Sequence, residues 1–279
     1  KKSPHAIKAY LKWCYQNKPT APKYVVFIGG ASWDARFILP TSFKYDFIPS
    51  YGKPVSDYWY ALLEGDDFIP ELIVGRIPVQ SDEQVNIYFE KLKEYENVKN
   101  APWQKEYLLL SGGSTAFERA SFLTIILNIA QTLKNSNLCA DTTIINKKVE
   151  SAVAENEAGE IIRNVNAGKL WTFFFGHGSA TLLDLDGWQA ERLNNAGRYG
   201  IFSSFSCNTG AFAEPNVISR NEDYLFTANR GFIGASSATG VGFVDVQSEL
   251  LRKTIEAYIA GGNSSYIELL NKAKVQLTR

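Results

Sequence analysis

Short, strongly apolar runs alternate with helix-length segments along this chain. The runs lie at residues 24–28 (YVVFI), 72–75 (LIVG), 107–110 (YLLL), 142–145, 170–175 (LWTFFF), 200–205 (GIFSSF) and 231–235 (GFIGA). Helices are predicted at 6–16, 82–97, 117–134, 155–166, 188–196 and 218–229. Near-continuous apolar strands that are separated by helices are typical of a parallel sheet covered on both faces. The pattern therefore predicts the α/β class with a mainly parallel sheet.

A polar break at Asn100, followed by Pro102 and Trp103, interrupts the helical pattern that starts after the predicted N-cap Ser81. Strand, loop and helix follow one another on both sides of this break. We therefore predict two α/β subdomains, an N-terminal one at residues 1–100 and a second one at 101–279. Ligands of such sheets bind beyond the carboxyl ends of the strands, so functional residues are expected in the loops there.

The charge balance excludes several classes of partner. Lys and Arg together number 29, as do Asp and Glu, so the formal net charge is zero. Such a chain has no long-range positive field to attract nucleic acid. Its apolar runs are also much shorter than the roughly 20 residues that cross a bilayer. We therefore predict neither a nucleic-acid partner nor a transmembrane segment.

Two strand ends carry side chains that are able to act together. His177, one of only two histidines, follows LWTFFF in the turn GHGS, and Cys207 follows GIFSSF thirty residues later. Taken singly, a histidine between glycines is more often a turn residue, and a strand-end cysteine is more often a small buried side chain. One helix between the two strands would make them neighbours. We therefore expect the pair to meet at one edge of the sheet.

The chemistry that this pair favours is nucleophilic. A cysteine nucleophile needs thiolate character, which a nearby imidazole and the backbone amides of a strand-to-helix turn supply. The glycines that flank His177 let a substrate approach the backbone, and the amides of Gly178 and Cys207 are candidates to stabilise an oxyanion. The residues thus predict a hydrolase site that requires no cofactor for catalysis.

The two motifs, an apolar run followed by GHGS and another followed by SCxxGxF, resemble those of the gingipain-like cysteine peptidases of the caspase and legumain clan. Three other segments of this chain resemble parts of that family: YVVFIGGAS, SDYWYALLEGDDFIPELIVGRIP and GFIGASSATGVGF. The resemblance therefore extends from about Ala6 to Leu251. It implies the caspase-hemoglobinase fold, an αβα sandwich. It also implies that Cys207 and His177 are the catalytic dyad and that the Gly178 and Cys207 amides form the oxyanion hole.

The resemblance further implies an activity, partners and a location. The activity is that of a secreted or surface cysteine endopeptidase acting on protein or peptide substrates. The implied partners are a prodomain and the type IX secretion machinery, and the implied location is the outer surface of a bacterial cell. Two alternatives remain open, a type IX sortase that cleaves C-terminal sorting domains and transfers the cargo to an amine, and a catalytically silent scaffold domain.

A third catalytic residue is not fixed by the pattern. Gingipains carry an acidic residue after the strand that corresponds to YLLL, whereas this chain has SGGST at 111–115. Glu118 is a candidate to orient His177 or to bind a basic substrate side chain in the S1 pocket, although a solvated glutamate at a helix start is the simpler interpretation. Asp184, Asp186 and Asp245 are rival acids. Spacing does not choose among them, so the side-chain preference of the site is not predicted.

An acidic cluster in the N-terminal half is a candidate structural calcium site. It consists of Asp57, Glu64, Asp66 and Asp67, and calcium takes several carboxylate and backbone oxygens. The resemblance also implies calcium, because gingipain-like proteins bind it in comparable loops. The spacing does not match an EF-hand, however, and a hydrated loop whose charges pair with Arg76 or lysines is an equally good interpretation.

Overall fold

A computed structural model describes residues 2–261 and 264–277 of the chain. It divides into two compact units. The smaller unit comprises Lys1–Gln80, Phe212–Val217 and Arg252–Arg279, and the larger comprises Ser81–Ala211 and Ile218–Leu251. The domain boundary predicted at residue 100 stays a prediction. The first segment of the smaller unit ends at Gln80, and two later segments of the chain complete that unit.

The smaller unit is built on a pair of parallel strands. Strand β1 (Tyr24–Ile28) pairs with β2 (Ile73–Ile77), with Tyr24 opposite Ile73. Helix α1 (Pro4–Asn17) starts at Ser3, whose side chain accepts a hydrogen bond from the amide of Ala6. A cluster of buried side chains forms the core of this unit: Leu11, Phe27, Tyr60, Ala61, Leu63 and Leu72.

The larger unit holds a five-stranded sheet in which every neighbouring pair is parallel. Its strands are β3 (Glu106–Ser111), β4 (Asp141–Asn146), β5 (Trp171–Phe175), β6 (Ile201–Phe205) and β7 (Gly234–Ser237). Their spatial order is β4-β3-β5-β6-β7. All five residues of β5 are buried, as expected for a central strand of a parallel sheet.

Helices precede, connect and follow these strands along the chain. They are α2 (Asp82–Asn97), α3 (Ala116–Lys134), α4 (Ala158–Ala167) and α5 (Arg220–Phe226), followed by α6 (Val244–Ala260) and α7 (Tyr266–Leu277), which belong at least partly to the segments of the smaller unit. Helix α2 starts at Ser81, as predicted, because the serine hydroxyl accepts from the amide of Gln84. The core of the larger unit gathers apolar side chains from the sheet and from the 183–193 loop, among them Leu108, Phe174, Leu185, Trp188 and Phe202.

The predicted α/β class with a mainly parallel sheet is confirmed. The strands predicted at 107–110, 170–175 and 200–205 agree with β3, β5 and β6 to within one residue at each end. The predicted helix at 188–196 is wrong, because Trp188, Ala190 and Leu193 are buried from an irregular loop that contains only a short 3-10 turn at Ala190–Arg192. Within the described ranges, no helix is long and apolar enough to span a membrane.

Candidate active site

Strand register places His177 and Cys207 at the same edge of the sheet. Neighbouring strands β5 and β6 are paired so that Phe175 lies opposite Phe205, and each functional side chain lies two residues beyond its phenylalanine. The amide of Gly176 continues the ladder by donating to the Phe205 carbonyl oxygen at 3.4 Å. Because adjacent strands lie about 4.8 Å apart, the two loops emerge side by side. The predicted meeting of these strands is confirmed.

A tight hairpin holds His177. The amide of Ser179 donates to the Leu182 carbonyl at 2.8 Å, and the amide of Asp184 donates to the His177 carbonyl at 2.9 Å. The ring centroid of His177 lies 5.7 Å from that of Phe122 on α3. The backbone on both sides of the imidazole is therefore fixed, while the side chain itself is 46% exposed.

Glu118 is the carboxylate that contacts His177. Its Oε1 lies 3.1 Å from the imidazole Nε2. Its Oε2 accepts hydrogen bonds from the amides of Ser114 and Thr115 at 2.8 and 3.1 Å, and the Thr115 hydroxyl accepts from the Glu118 amide in return. This reciprocal arrangement is a capping box at the start of α3. The glutamate is thus both a helix-start residue and a partner of the histidine.

The electrostatics of Glu118 favour its ionised form. Burial acts to raise the pKa of this carboxyl group, but the amides of Ser114 and Thr115 and the adjacent His177 together lower it below its ordinary value. The imidazole therefore faces a carboxylate, with Nε2 as the nitrogen that donates to it. Nδ1 is left as the ring nitrogen that is able to exchange a proton with a thiol.

Cys207 lies in a turn that is fastened to the segment after β7. Its Sγ lies 3.5 Å from the amide nitrogen and 3.7 Å from the carbonyl oxygen of Gly242. The next residue, Asn208, has φ +56° and donates its amide to the Gly240 carbonyl at 2.9 Å. Gln247 donates from Nε2 to the Ser206 carbonyl at 3.2 Å. The sequence did not identify this loop as part of the site.

The surface beside the thiol is apolar. Val241 and Phe243, on either side of Gly242, are 73% and 70% exposed. Below the turn, by contrast, the hydroxyl groups of Ser204, Ser206 and Thr209 are buried and bonded to one another at 2.6 to 3.2 Å. The thiol is therefore accessible from one side and supported by a closed hydroxyl network on the other.

Two backbone amides near the pair have no acceptor among the described residues, those of Gly178 and Cys207. Gly178 packs directly on the cysteine turn, since a Cβ there would lie 2.5 Å from Ser206 Oγ and 3.1 Å from the Cys207 carbonyl oxygen. Only glycine fits this approach, which brings the two amides into one neighbourhood. They are free to donate to an incoming oxyanion.

Of the three other candidate acids, Asp245 is exposed in the first turn of α6, whereas Asp184 and Asp186 are enclosed. The Asp186 carboxylate forms an ion pair with Arg220 at 2.7 Å, and the side chains are 1% and 2% exposed. The Asp184 side chain is 2% exposed, and its Oδ2 accepts from the Gly113 amide at 2.6 Å. Neither carboxylate faces solvent, and neither forms a hydrogen bond with the His177 ring in the described structure. Lys147, a buried cation 3.9 Å from Asp184, was not singled out by the sequence.

The four acidic residues proposed for calcium do not form a ligand set. Both carboxylate oxygens of Asp57 accept from Arg76, at 2.6 and 2.9 Å, which is the pairing that the sequence offered as the alternative. The Oδ1 of Asp67 accepts from the amide of Ile69. In residues 2–261 and 264–277, no three His, Cys, Asp or Glu side chains are grouped to hold a metal ion. Calcium binding stays a prediction that this geometry does not support.

Comparison with known proteins gives one family and several similar folds. The family model described as "Peptidase family C25" matches residues 1–279. The chain is similar to the crystal structure of the Arg-specific cysteine proteinase gingipain R (RgpB), with a TM-score of 0.80 and 17% identity over 98% of this chain and 62% of that one. No curated protein matches it significantly.

Two further solved structures are similar. A complex of Porphyromonas gingivalis RgpB pro- and mature domains has a TM-score of 0.77 and 18% identity, over 96% of this chain and 63% of that chain. A structure described as a protease has a TM-score of 0.68 and 18% identity, over 94% and 54%. The chain thus spans 62% of the length of the first of these structures. At such identities the likeness confirms the predicted α/β sandwich fold.

Proposed function

The chain belongs to peptidase family C25, and from this membership we propose that it is a cysteine endopeptidase in which Cys207 and His177 hydrolyse peptide bonds. The observation that carries the proposal is the register of β5 and β6, which sets the two side chains at equivalent positions beyond neighbouring strands. The carboxylate at Nε2 of the histidine and the two unbonded amides supply the remaining parts of an acyl-transfer site.

In the proposed mechanism, Nδ1 of His177 takes the proton of the Cys207 thiol. The thiolate attacks the substrate carbonyl carbon, and the carbonyl oxygen becomes an oxyanion to which the amides of Gly178 and Cys207 donate. The imidazolium then gives its proton to the departing amine as the C–N bond breaks. Water, deprotonated by the imidazole, attacks the thioester carbon, and the carboxylic acid leaves as the thiolate is restored.

Glu118 supports each proton transfer in this scheme. Its carboxylate accepts from Nε2 at 3.1 Å, which fixes the ring tautomer and stabilises the imidazolium. The glutamate is itself held by two backbone amides, so its position is set by the start of α3. A prodomain partner and export to the cell surface also belong to the proposal. The similar structure of pro- and mature domains supports the first, and the family resemblance supports both.

Covalent labelling tests the proposal directly. The folded chain is incubated with peptidyl acyloxymethyl ketones that carry Arg, Lys, Asn or Ala at P1, and the adduct is located by mass spectrometry. We expect one adduct, on Cys207, because its thiol is accessible beside His177. The exposed Cys139 is the matched control thiol, so Cys139→Ala should leave the labelling unchanged. His177→Ala should abolish it.

The remaining outcomes discriminate among the functions. Labelling of Cys139 alone, or no adduct on a folded chain, would favour a silent scaffold domain over a peptidase. If labelling succeeds, a peptide substrate is digested with and without an added primary amine. Products of hydrolysis alone support the endopeptidase, whereas an amide between the acyl fragment and the amine would identify a transpeptidase.

Replacing Glu118 with glutamine should impair the histidine without harming the helix. Glutamine still completes a capping box, but it no longer places a charge against Nε2. We expect kcat/KM to fall roughly 10- to 100-fold, the loss that follows from a poorly oriented catalytic group. Glu222→Gln is the matched control, since Glu222 occupies the same capping position of α5 and Ser219 is its partner. Equal losses in the two variants would contradict a role of Glu118 at His177.

A further inference from the structure

A buried carboxylate that the proposed mechanism does not use lies directly behind the His177 hairpin. The Asp184 side chain is 2% exposed and follows the hairpin that begins at Gly178, which pairs with Leu183. Its backbone amide donates to the His177 carbonyl at 2.9 Å. Its Oδ2 accepts from the Gly113 amide at 2.6 Å, two residues beyond the end of β3. One residue thus joins the ends of β3 and β5.

The chain leaves room for this carboxylate at two glycines. A Cβ at Gly112 would lie 2.0 Å from Asp184 Oδ1, and one at Gly176 would lie 2.7 Å from the same atom. Neither glycine has a positive φ, so backbone conformation does not require it. Space for the carboxylate therefore accounts for glycine at position 112, after β3. At position 176, directly before His177, a Cβ would also lie 2.7 Å from Cζ of Phe174, so glycine there leaves room for both the carboxylate and the ring.

The charge of this carboxylate is only partly balanced. Lys147 Nζ lies 3.9 Å from Oδ2, but it donates its shorter hydrogen bond to the Ser151 carbonyl at 2.6 Å. Oδ1 is buried and has no hydrogen-bond partner among the described residues. Burial raises the pKa of Asp184, against the opposing effects of the Gly113 amide, the Lys147 ammonium and His177. The charged groups that surround this pair are Arg119 and Glu118 on α3, and Glu157 before α4.

We propose that Asp184 is a positioning residue of the site: its buried carboxylate fastens the His177 hairpin to the end of β3 and places a negative charge behind that hairpin. This inference rests on the proposed function. It assigns a purpose to an acid that is too enclosed to meet a substrate. It also gives His177 two carboxylates with separate tasks, since Glu118 binds the ring and Asp184 holds the loop beneath it.

The test compares Asp184→Asn with Asp223→Asn by alkylation kinetics of Cys207 over a range of pH, with thermal unfolding measured in parallel. Asparagine keeps an acceptor for the Gly113 amide but removes the charge. We expect the maximal alkylation rate of Asp184→Asn to fall about 10-fold with little change in inhibitor affinity. We also expect the alkaline limb of its pH profile to move to lower pH by about one unit, because the imidazolium loses a neighbouring anion.

Asp223 is the matched control, because it is a buried carboxylate whose neighbours are Arg220 and Glu191 rather than His177. Asp223→Asn should lower the unfolding temperature and leave the alkaline limb in place. If Asp184→Asn is too unstable to measure, the double variant Lys147→Met/Asp184→Asn removes the unpaired buried ammonium. That variant should regain stability and still show the lower maximal rate, because the carboxylate is still missing, while the loss of the Lys147 cation offsets part of the shift of the limb.

The possible results separate this inference from the proposed function. If Cys207 of the wild-type chain is not alkylated, both the proposed function and the positioning role of Asp184 are contradicted. Wild-type alkylation with an unshifted limb in Asp184→Asn, or with an undiminished maximal rate in the double variant, would overturn the positioning role alone. A loss of rate that is equal at every pH and shared with Asp223→Asn would also overturn it, because such a loss reflects stability.

Discussion

Replacing Cys207 with alanine is expected to lower peptide hydrolysis more than about 1000-fold, because no acyl-enzyme can then form. His177→Ala should cause a loss of similar size, since the thiol then has no proton acceptor. The two residues act as a unit, so the double variant should be scarcely slower than either single variant. The measurement is kcat/KM on a fluorogenic peptide for the wild type, the two single variants and the double variant.

The structure also predicts which properties these variants keep. Cys207 is only partly buried, and its Sγ forms weak hydrogen bonds with the backbone of Gly242, so the alanine variant should unfold close to the wild-type temperature. The exposed thiol Cys139 supplies the control, because Cys139→Ala should retain full activity. A Cys207→Ala protein that still hydrolyses the peptide would show that the chemistry lies elsewhere in the chain.

The sheet could be predicted from sequence because its strands are nearly continuous in apolar residues. LWTFFF and GIFSSF have no other reasonable interpretation, and they led directly to the histidine and cysteine at their ends. The helix prediction for residues 188–196 was wrong for a physical reason. Its apolar residues recur at a helix-like spacing, yet they fill the core of the larger unit from an irregular loop. The spacing of apolar residues indicates which side chains are buried. The backbone conformation that buries them depends on how the segment packs in the folded unit.

The supporting residues of the site were harder to predict. A capping-box signal, Thr115 followed three residues later by Glu118, was present in the sequence and would have indicated that the carboxylate turns back toward the helix start. Asp184 was one of several candidate acids that spacing did not separate, and no signal indicated Lys147, which is distant from it in sequence. Their burial depends on how β3, β4 and β5 end side by side. That arrangement exists only in the folded sheet.

Removing one partner of the buried ion pair of Arg220 and Asp186 should strongly destabilise the larger unit. The two side chains are 2% and 1% exposed, and Nη2 of the arginine contacts both carboxylate oxygens at 2.7 and 2.9 Å. Arg220→Met leaves the aspartate charge buried without its partner. We expect the free energy of unfolding to fall by about 3–5 kcal/mol, as is typical when one member of a buried pair is removed. Urea unfolding followed by circular dichroism measures this change.

Two controls distinguish an unpaired charge from a simple loss of packing. The first is the double variant Arg220→Met/Asp186→Asn, which has no buried charge and keeps one side-chain oxygen for one of the two amides, of Leu183 and Gly187, that donate to the two oxygens of Asp186. It should regain a large part of the lost stability. The second is Lys93→Met, which breaks an ion pair with Glu90 of similar length, 2.6 Å, in which both side chains are exposed. That variant should unfold like the wild type, because an exposed pair contributes little. If the double variant is no more stable than Arg220→Met, lost contacts of the arginine side chain rather than the bare carboxylate are the cause.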